Sequence, residues 1–351
     1  MFAKVVRVSQ RGCVLRRLVS VVIGIVRGSF RDILLSKRKS EAIEPGLWEF
    51  PGGKIESGEL PLEALSRELH EEVGVIPSVA VPTLNYTYAH KHYDLNIFVY
   101  DVLKWTGNVR SREGQEIRWI NSSELKNYDM PVPNKPIKIA TILPHHSLVT
   151  APFVGEEEAY LKRIELCLIG GVRLIQFRPE TSDKILLLKL AKRVNILCKK
   201  FDALVMFNIA MFVDQFQEFV QYFDGVHFPS RELLRLSKRP VSSSILISAS
   251  CHNQVELLKA QEVGCDFVYL SPVLSPISHS ASTHLGWDRS ADLVNRSELP
   301  IYGLGGMTAS DISTACSVGL HGISMVSELW NSKDPAYTVG EIEKKLLAFH
   351  V

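Results

Sequence analysis

Between Gly53 and Val75 the chain places acids and small residues at a spacing that can do chemistry. The order is Gly53, five residues, Glu59, seven residues, Arg67-Glu68-Leu69, one residue, Glu71-Glu72, one residue, Gly74-Val75. On a helix, Glu68, Glu71 and Glu72 stand at i, i+3 and i+4 and share one face. Carboxylates held together repel and raise one another's pKa unless a cation neutralises them. An all-oxygen set suits Mg²⁺, with Mn²⁺ as the alternative, rather than zinc. Such an ion keeps several waters and typically bridges the phosphates of a substrate. Arg67 can pair with a carboxylate and aim it. The Gly52-Gly53 turn lets backbone come close to the site. Acids this dense also occur on solvated helix faces. What argues for a site is that nine specified positions keep one spacing.

The helix that carries these acids is expected from about Leu60 to Val73. Pro61 suits its first turn and Gly74 the position just past its end. Short apolar runs at 19–26, 32–36, 82–90, 94–104 and 116–120 read as the strands around it. A proline-rich stretch, Pro131-Val-Pro133-Asn-Lys-Pro136, leads to a short helix, and Leu143-Pro-His-His146 reads as a linker. After residue 147 the rhythm changes. Strand-like runs at 147–150, 172–177, 203–208, 224–228, 244–248, 266–270, 301–304 and 322–326 are each followed by a helix-length or loop segment. Eight such units predict a (β/α)₈ TIM barrel. The expectation is α/β throughout: a basic N-terminal extension at 1–18, an α/β/α sandwich with a mixed sheet at 19–142, and the barrel at 143–351.

Composition agrees with folded domains. The 351 residues are 46% hydrophobic and 22% charged, which excludes a mainly disordered chain and a collagen. Lys plus Arg exceeds Asp plus Glu by only 2 (40 against 38), too little for a general binder of nucleic-acid polymers. The six cysteines are scattered with no C-x-x-C pair, which reads as reduced thiols in a cytoplasmic protein, mostly buried. The early apolar run, Leu18 to Val26, is far shorter than the ~20 residues a membrane helix needs. It reads as a strand behind a basic tail (Lys4, Arg7, Arg11, Arg16, Arg17).

The segment from Gly53 to Val75 resembles the complete signature of the Nudix hydrolases. That resemblance implies metal-dependent hydrolysis of nucleoside diphosphates linked to another group. Glu68, Glu71 and Glu72 would be metal ligands beside Gly53, and Glu59 a supporting position. Trp48-Glu-Phe-Pro-Gly-Gly-Lys54 and Arg112-Glu-Gly-Gln115 are similar to the MutT branch, without gaps from Arg38 onward. That branch removes 8-oxo-dGTP from the nucleotide pool. The resemblance makes Glu113 a loop carboxylate that joins the metal late, and Asn134 the residue that reads the purine. Arg38 would lie near the nucleotide, with Phe50 lining the pocket beside Gly52 and Gly53. An amide suits the reading position because it donates and accepts at once. The implied reaction is attack of water on a phosphorus, releasing pyrophosphate and a monophosphate. Either a glutamate of the cluster or Glu113 takes the proton.

Residues 147–345 resemble thiamine phosphate synthase and its TenI-like relatives. The matching pieces include Gly170-Gly-Val-Arg-Leu-Ile-Gln-Phe-Arg178, Gly225-Val-His227, Ser248-Ala-Ser-Cys-His-Asn253 and Gly303-Leu-Gly-Gly306. Against the family pattern the catalytic parts are eroded. Asn208 is kept, but Ile209 stands where the family has Asp, and Glu180 where it has Lys. The Thr-x-Thr-Lys loop reads Ser275-Pro-Ile-Ser-His279. Without those acids a diphosphate-bound Mg²⁺ has no cage. The resemblance leaves a phosphate end at Gly305, Gly306 and Ser327, where barrels of this kind hold phosphate after strands 7 and 8. Gln176, Arg178, His227, His252 and His279 would line the same mouth, with no catalytic role assigned to any of them. The favoured reading is an 8-oxo-dGTP diphosphatase with a non-catalytic, phosphate-binding barrel. The alternative is a thiamine-pathway protein whose Nudix half hydrolyses thiamine-related diphosphates and whose barrel binds or makes thiamine phosphate. A third reading makes the barrel a binding or dimerisation module.

Overall fold

The computed structural model describes residues 16–40, 44–90, 93–275 and 284–351. Most of the basic extension, Cys13 included, lies outside the described residues, as does His279.

The first domain is built on seven strands: β1 (Arg17–Val26), β2 (Asp32–Lys37), β3 (Trp48–Glu49), β4 (Gly52–Lys54), β5 (Val75–Ala89), β6 (Tyr93–Gly107) and β7 (Ile117–Asn121). They form a mixed sheet in the order β4-β1-β6-β5, with β1 and β6 parallel, and a smaller sheet β3-β2-β7. Alternation along β1 sends Val22 and Val26 to one face and Val21, Ile23 and Ile25 to the other. On the first face lies α1 (Pro61–Val73), which buries Ala64, Leu65, Leu69 and Val73. Gly74, in the left-handed region at φ 73°, ends it. Leu65 and Leu69 are fully buried, each stabilising the domain by about 1.5–3 kcal/mol. The second face packs Phe50, Tyr86 and Ile97 with Ile137 of α2 (Lys135–Ile142). The result is the expected α/β/α sandwich.

One strand is longer than its sequence pattern. β5 begins at Val75 rather than near 82, despite Pro77 and Pro82. It lies at the sheet edge, and its pairing with β6 shifts register at Pro77/Val79 and at Pro82/Leu84. An edge strand with bulges is where proline is tolerated. The two-residue β3 and three-residue β4 are too short to have a periodicity.

The barrel strands are β8 (His146–Val149), β9 (Leu174–Phe177), β10 (Leu204–Asn208), β11 (Gly225–Phe228), β12 (Leu246–Cys251), β13 (Phe267–Leu270), β14 (Ile301–Gly303) and β15 (Gly322–Met325). All pairings are parallel, and β15 closes onto β8. Short three-residue-per-turn helices from Ile209 to Tyr222 replace the helix after β10. The five described cysteines are unpaired and buried. Among the described residues no helix is long and apolar enough to cross a membrane.

The two domains are joined by a buried ionic cluster at the N-terminal end of the barrel strands. Asp101 on β6 receives Arg27 Nε on Oδ1 at 2.7 Å and Arg27 Nη2 on Oδ2 at 3.0 Å. His145, just ahead of β8, donates from Nε2 to Asp101 Oδ2 at 3.2 Å and from Nδ1 to the His321 carbonyl at 2.7 Å. With an acceptor at each nitrogen, its ring is held as the cation. Burial opposes that charge most strongly, but Asp101 and Cys316 override it and push the pKa up to about 10. Burial likewise works against the Asp101 carboxylate, and Arg27 and His145 together hold its pKa well below the usual range. His321 has a single acceptor, the Leu143 carbonyl, and stays neutral: burial and then the His145 charge lower its pKa to about 3. Beyond this cluster, the chain's last residues lie along the open edge of β5, with Ala80 N donating to Phe349 O at 3.1 Å. That contact covers an edge otherwise open to pairing.

Candidate active site

Helix α1 presents Arg67 as the hub of its acids. The guanidinium donates from Nε and Nη2 to the two oxygens of Glu59 at 2.8 Å each, from Nη1 to Glu68 at 2.9 Å and to Glu71 at 3.2 Å, and from Nη2 to the Lys54 carbonyl at 3.0 Å. The bond from Arg67 is the main cause that holds the Glu59 pKa down at about 2. Glu68 goes the other way. Burial raises its pKa against the pull of Arg67, and Glu71 and Glu113 add to the rise.

Glu72 points inward instead. Its carboxylate accepts from the Gly52 amide at 2.9 Å. Gln115 Nε2 donates to the Glu72 carbonyl at 3.0 Å, tying the 110–116 loop to the helix. Burial pushes the Glu72 pKa up to about 7, and the charge of nearby Glu49 adds to it, while the Gly52 amide works downward. The two glycines are required by close approach. A Cβ on Gly52 would sit 2.2 Å from the Val22 carbonyl oxygen, and one on Gly53 would sit 2.3 Å from the Glu68 carboxyl carbon.

The other wall is basic. Lys37, Arg38, Lys39 and Ser40 face Gly114, Gln115 and Glu116 across a cleft of about 300 Å³. Arg38 Nη1 donates to Glu49 at 2.7 Å, and Lys39 Nζ to Glu113 at 2.9 Å. Phe50 is 3% exposed and belongs to the core beside Tyr86. Asn134 ends the turn Val132–Asn134 and is buried, yet its side-chain amide has no hydrogen bond among the described residues. Thus Glu59, Arg67, Glu68, Glu71, Glu72, Gly52 and Gly53 are brought together, with Glu113 near enough for its charge to act on Glu68. Glu49 and Gln115 were not singled out from sequence. Both lie inside the matched segments Trp48–Lys54 and Arg112–Gln115, so position in those segments was the available signal.

The acids do not converge on one point. Glu68 and Glu71 turn to Arg67 and Glu72 to Gly52, and among the described residues no three of His, Cys, Asp and Glu form a ready ligand group. The fit to a divalent cation lies in the donor chemistry. Glu68, Glu71, Glu72 and Glu113 offer only oxygen, around a glycine backbone with no side chain in the way. Two of them are held by burial above the usual carboxylate range, which a bound cation relieves.

The barrel mouth lies at the end opposite the domain junction. Gly305 (φ 92°) and Gly306 (φ 63°) follow β14, and a Cβ on either would press on Pro272 at 2.8 Å or the Ser275 carbonyl at 2.7 Å. Ser327 opens a four-residue helix after β15. Asn208 Nδ2 donates to Gln176 at 2.9 Å. Ile209 is fully buried in the core, so no polar group replaces the expected acid there. Glu180 pairs with Arg178 at 3.3 Å. Both His227 nitrogens meet hydroxyls, those of Ser248 and Ser250 at 2.9 Å, and burial lowers its pKa to about 3. It is a neutral, hydrogen-bonded interior residue.

Comparison with known proteins fits both halves. Residues 21–140 match the NUDIX domain family and residues 147–329 the thiamine monophosphate synthase family. The chain belongs to the Nudix hydrolases through its first domain and to the thiamine monophosphate synthase family through its barrel. Its first domain is 34% identical to the 8-oxo-dGTP diphosphatase of Escherichia coli over 121 residues, 34% of this chain and 92% of that protein. Its barrel is 30% identical to the putative thiamine-phosphate synthase 2 of Aquifex aeolicus over 174 residues, 48% of this chain and 89% of that protein. It is also 30% identical to a thiamine-phosphate synthase of Prochlorococcus marinus over 179 residues, 51% of this chain and 50% of that protein. The chain thus spans about half the length of that relative. Nudix hydrolases generally depend on a divalent metal.

Proposed function

We propose that the first domain hydrolyses 8-oxo-dGTP to 8-oxo-dGMP and pyrophosphate, sanitising the nucleotide pool, and that the barrel is a non-catalytic phosphate-binding domain. The observation that carries the first part is the acid array ordered by Arg67 against the Gly52-Gly53 strand. Glu68, Glu71, Glu72, Glu113 and the Gly53 backbone would hold Mg²⁺, or Mn²⁺. When bound, the ion neutralises the phosphates and lowers the pKa of the attacking water. Arg67 fixes the directions of Glu68 and Glu71, and the Gly52 amide and Gln115 fix Glu72. Arg38 and Lys39 put positive charge along the cleft where a triphosphate would lie. Phe50 backs the nucleotide pocket from the core. Asn134 keeps its amide unpaired, as a residue must that reads a donor and an acceptor on the purine edge.

For the barrel, the support is a missing cage and retained glycines. Ile209 is apolar and buried, and Glu180 is an acid already paired with Arg178. A departing diphosphate needs cations aimed at its developing charge. Among the described residues, the Gly305 and Gly306 amides have no acceptor, and with Ser327 they would receive a phosphate. The second reading, hydrolysis of thiamine-related diphosphates, is favoured by one fact: the domain is joined to a barrel of the thiamine monophosphate synthase family. A hydrolysis screen of the purified full chain over 8-oxo-dGTP, dGTP, ADP-sugars and thiamine diphosphate decides between them. A kcat/KM for 8-oxo-dGTP no higher than for dGTP, or a preference for thiamine diphosphate, would overturn the first reading.

A further inference from the structure

The basic wall of the hydrolase cleft is tied to the acid array through one ion pair. Each of its three cations has an acid partner. Lys37 Nζ donates to Glu116 at 3.1 Å, Arg38 Nη1 to Glu49 at 2.7 Å and Lys39 Nζ to Glu113 at 2.9 Å. Of these acids only Glu113 belongs to the set that would hold the metal. Its backbone is fixed on both sides. The Arg112 amide donates to the Glu72 carbonyl at 3.1 Å, and the Glu113 amide donates to Gln115 Oε1 at 3.2 Å. Gln115 is anchored in turn by its own bond to the Glu72 carbonyl. The two side chains are less constrained: Lys39 is 41% exposed and Glu113 49%. An exposed pair of this kind is weak enough to exchange partners. Yet Glu113 stands close enough to the array for its charge to add to the rise of the Glu68 pKa.

We propose that Lys39 is a positioning residue that holds Glu113 off the metal until a nucleotide arrives, and then exchanges Glu113 for a phosphate of that nucleotide. The inference rests on the hydrolase reading above and adds the order in which the site assembles. An ammonium and a divalent cation on one carboxylate repel each other, so metal binding by Glu113 loosens the Lys39 pair. A triphosphate gives the released ammonium a new partner, because Lys39 lines the cleft where the phosphates would lie. Glu113 trades an ammonium for a metal ion, Lys39 trades a carboxylate for a phosphate, and no charge is left unpaired. Because the backbone around Glu113 is held, the exchange is a turn of two side chains and not a movement of the loop. Metal and nucleotide therefore strengthen each other's binding through this pair. Lys37 and Arg38 cannot do the same, since Glu116 and Glu49 are outside the metal set.

The test separates metal binding from turnover. Mn²⁺ binding to the full chain is followed by the electron paramagnetic resonance of the free ion, without nucleotide. Lys39→Met keeps an unbranched side chain and removes the ammonium. It should tighten Mn²⁺ binding by about two- to fivefold, the range an exposed pair spans. In a Glu113→Gln background the same substitution should leave the Mn²⁺ affinity unchanged, which closes a double-mutant cycle on the pair. Lys37→Met, which removes a neighbouring charge, should leave it unchanged too. With the non-hydrolysable α,β-imido analogue of dGTP at saturating Mg²⁺, Lys39→Met should instead weaken nucleotide binding by about threefold or more. Unchanged Mn²⁺ affinity in Lys39→Met would overturn the proposal and leave the hydrolase reading intact. Equal tightening by Lys37→Met, or in the Glu113→Gln background, would reduce Lys39 to a general cleft charge and overturn it as well. So would undiminished binding of the analogue. A wild-type chain that binds no Mn²⁺ up to millimolar concentration would overturn the hydrolase reading, and the proposal with it.

Discussion

Asp101→Asn tests the domain junction. The substitution keeps size and shape and removes the charge that Arg27 and His145 share. Asp101 is 3% exposed and His145 7% exposed, so water cannot replace the lost partner. Removing one member of a buried pair costs about 3–5 kcal/mol, because the remaining charge is stranded. At roughly 2–4 °C per kcal/mol for domains of this size, the Tm should fall by about 6–20 °C. The pH dependence gives a sharper reading. The His145 pKa is raised from 6.5 to about 10, so its contribution is fully present below pH 6.5 and fades as pH rises towards 10. Asp101, with a depressed pKa, contributes above its unfolded value of 3.8 and loses that only in strong acid. The wild-type chain should therefore lose stability between pH 6.5 and 10, and Asp101→Asn should lose most of that slope. Differential scanning calorimetry of both proteins at pH 6 and pH 9 measures it. A variant Tm within about 1 °C of wild type, or an undiminished slope, would refute the argument that the junction is held by this charge pair.

Three further outcomes are expected. Arg67→Lys keeps the charge but not the planar fork that serves Glu59, Glu68 and Glu71 at once, so kcat should drop by about 10²-fold or more with little change in Tm; normal turnover would remove its positioning role. Asn134→Ala should reduce kcat/KM for 8-oxo-dGTP far more than for dGTP, because a site built to hydrogen-bond a substrate group discriminates by that bond. Equal losses on the two substrates would make Asn134 merely positional. Expression of the full chain should not restore growth of a thiamine-requiring strain that lacks its synthase, and clear growth would show that the barrel makes thiamine phosphate.

Much of the architecture was legible because it is written in local patterns. The α1 boundaries follow from Pro61 and Gly74, which act through their own backbones. The eight barrel strands follow from apolar runs, since strands buried on both sides need no partner's identity to be read. The start of β5 at Val75 is not legible in the local pattern, where Pro77 and Pro82 read as breaks. Only its place at the sheet edge makes them harmless. The acids of α1 were legible as a set, because i, i+3 and i+4 spacing alone puts them on one face. Their partners were not. The charge of Glu49 on β3 acts on Glu72 of the helix, and Gln115 reaches Glu72 from a loop some forty residues away.

By itself the sequence determined the two fold classes, the helix that bears the acids, and the oxygen-only donor chemistry. Each depends on residues close in the chain or on residue type. Tertiary structure decided the electrostatics and the contacts between domains. Glu68 and Glu71 turn to Arg67, while Glu72 is buried with its pKa raised. His145 is charged while its neighbour His146, equally buried, has its pKa lowered to about 4. The two histidines are identical as sequence. Burial disfavours charge on both, and only the one with Asp101 beside it can keep its proton. That pairing brings together residues far apart in the chain, from two domains, and no local pattern encodes it.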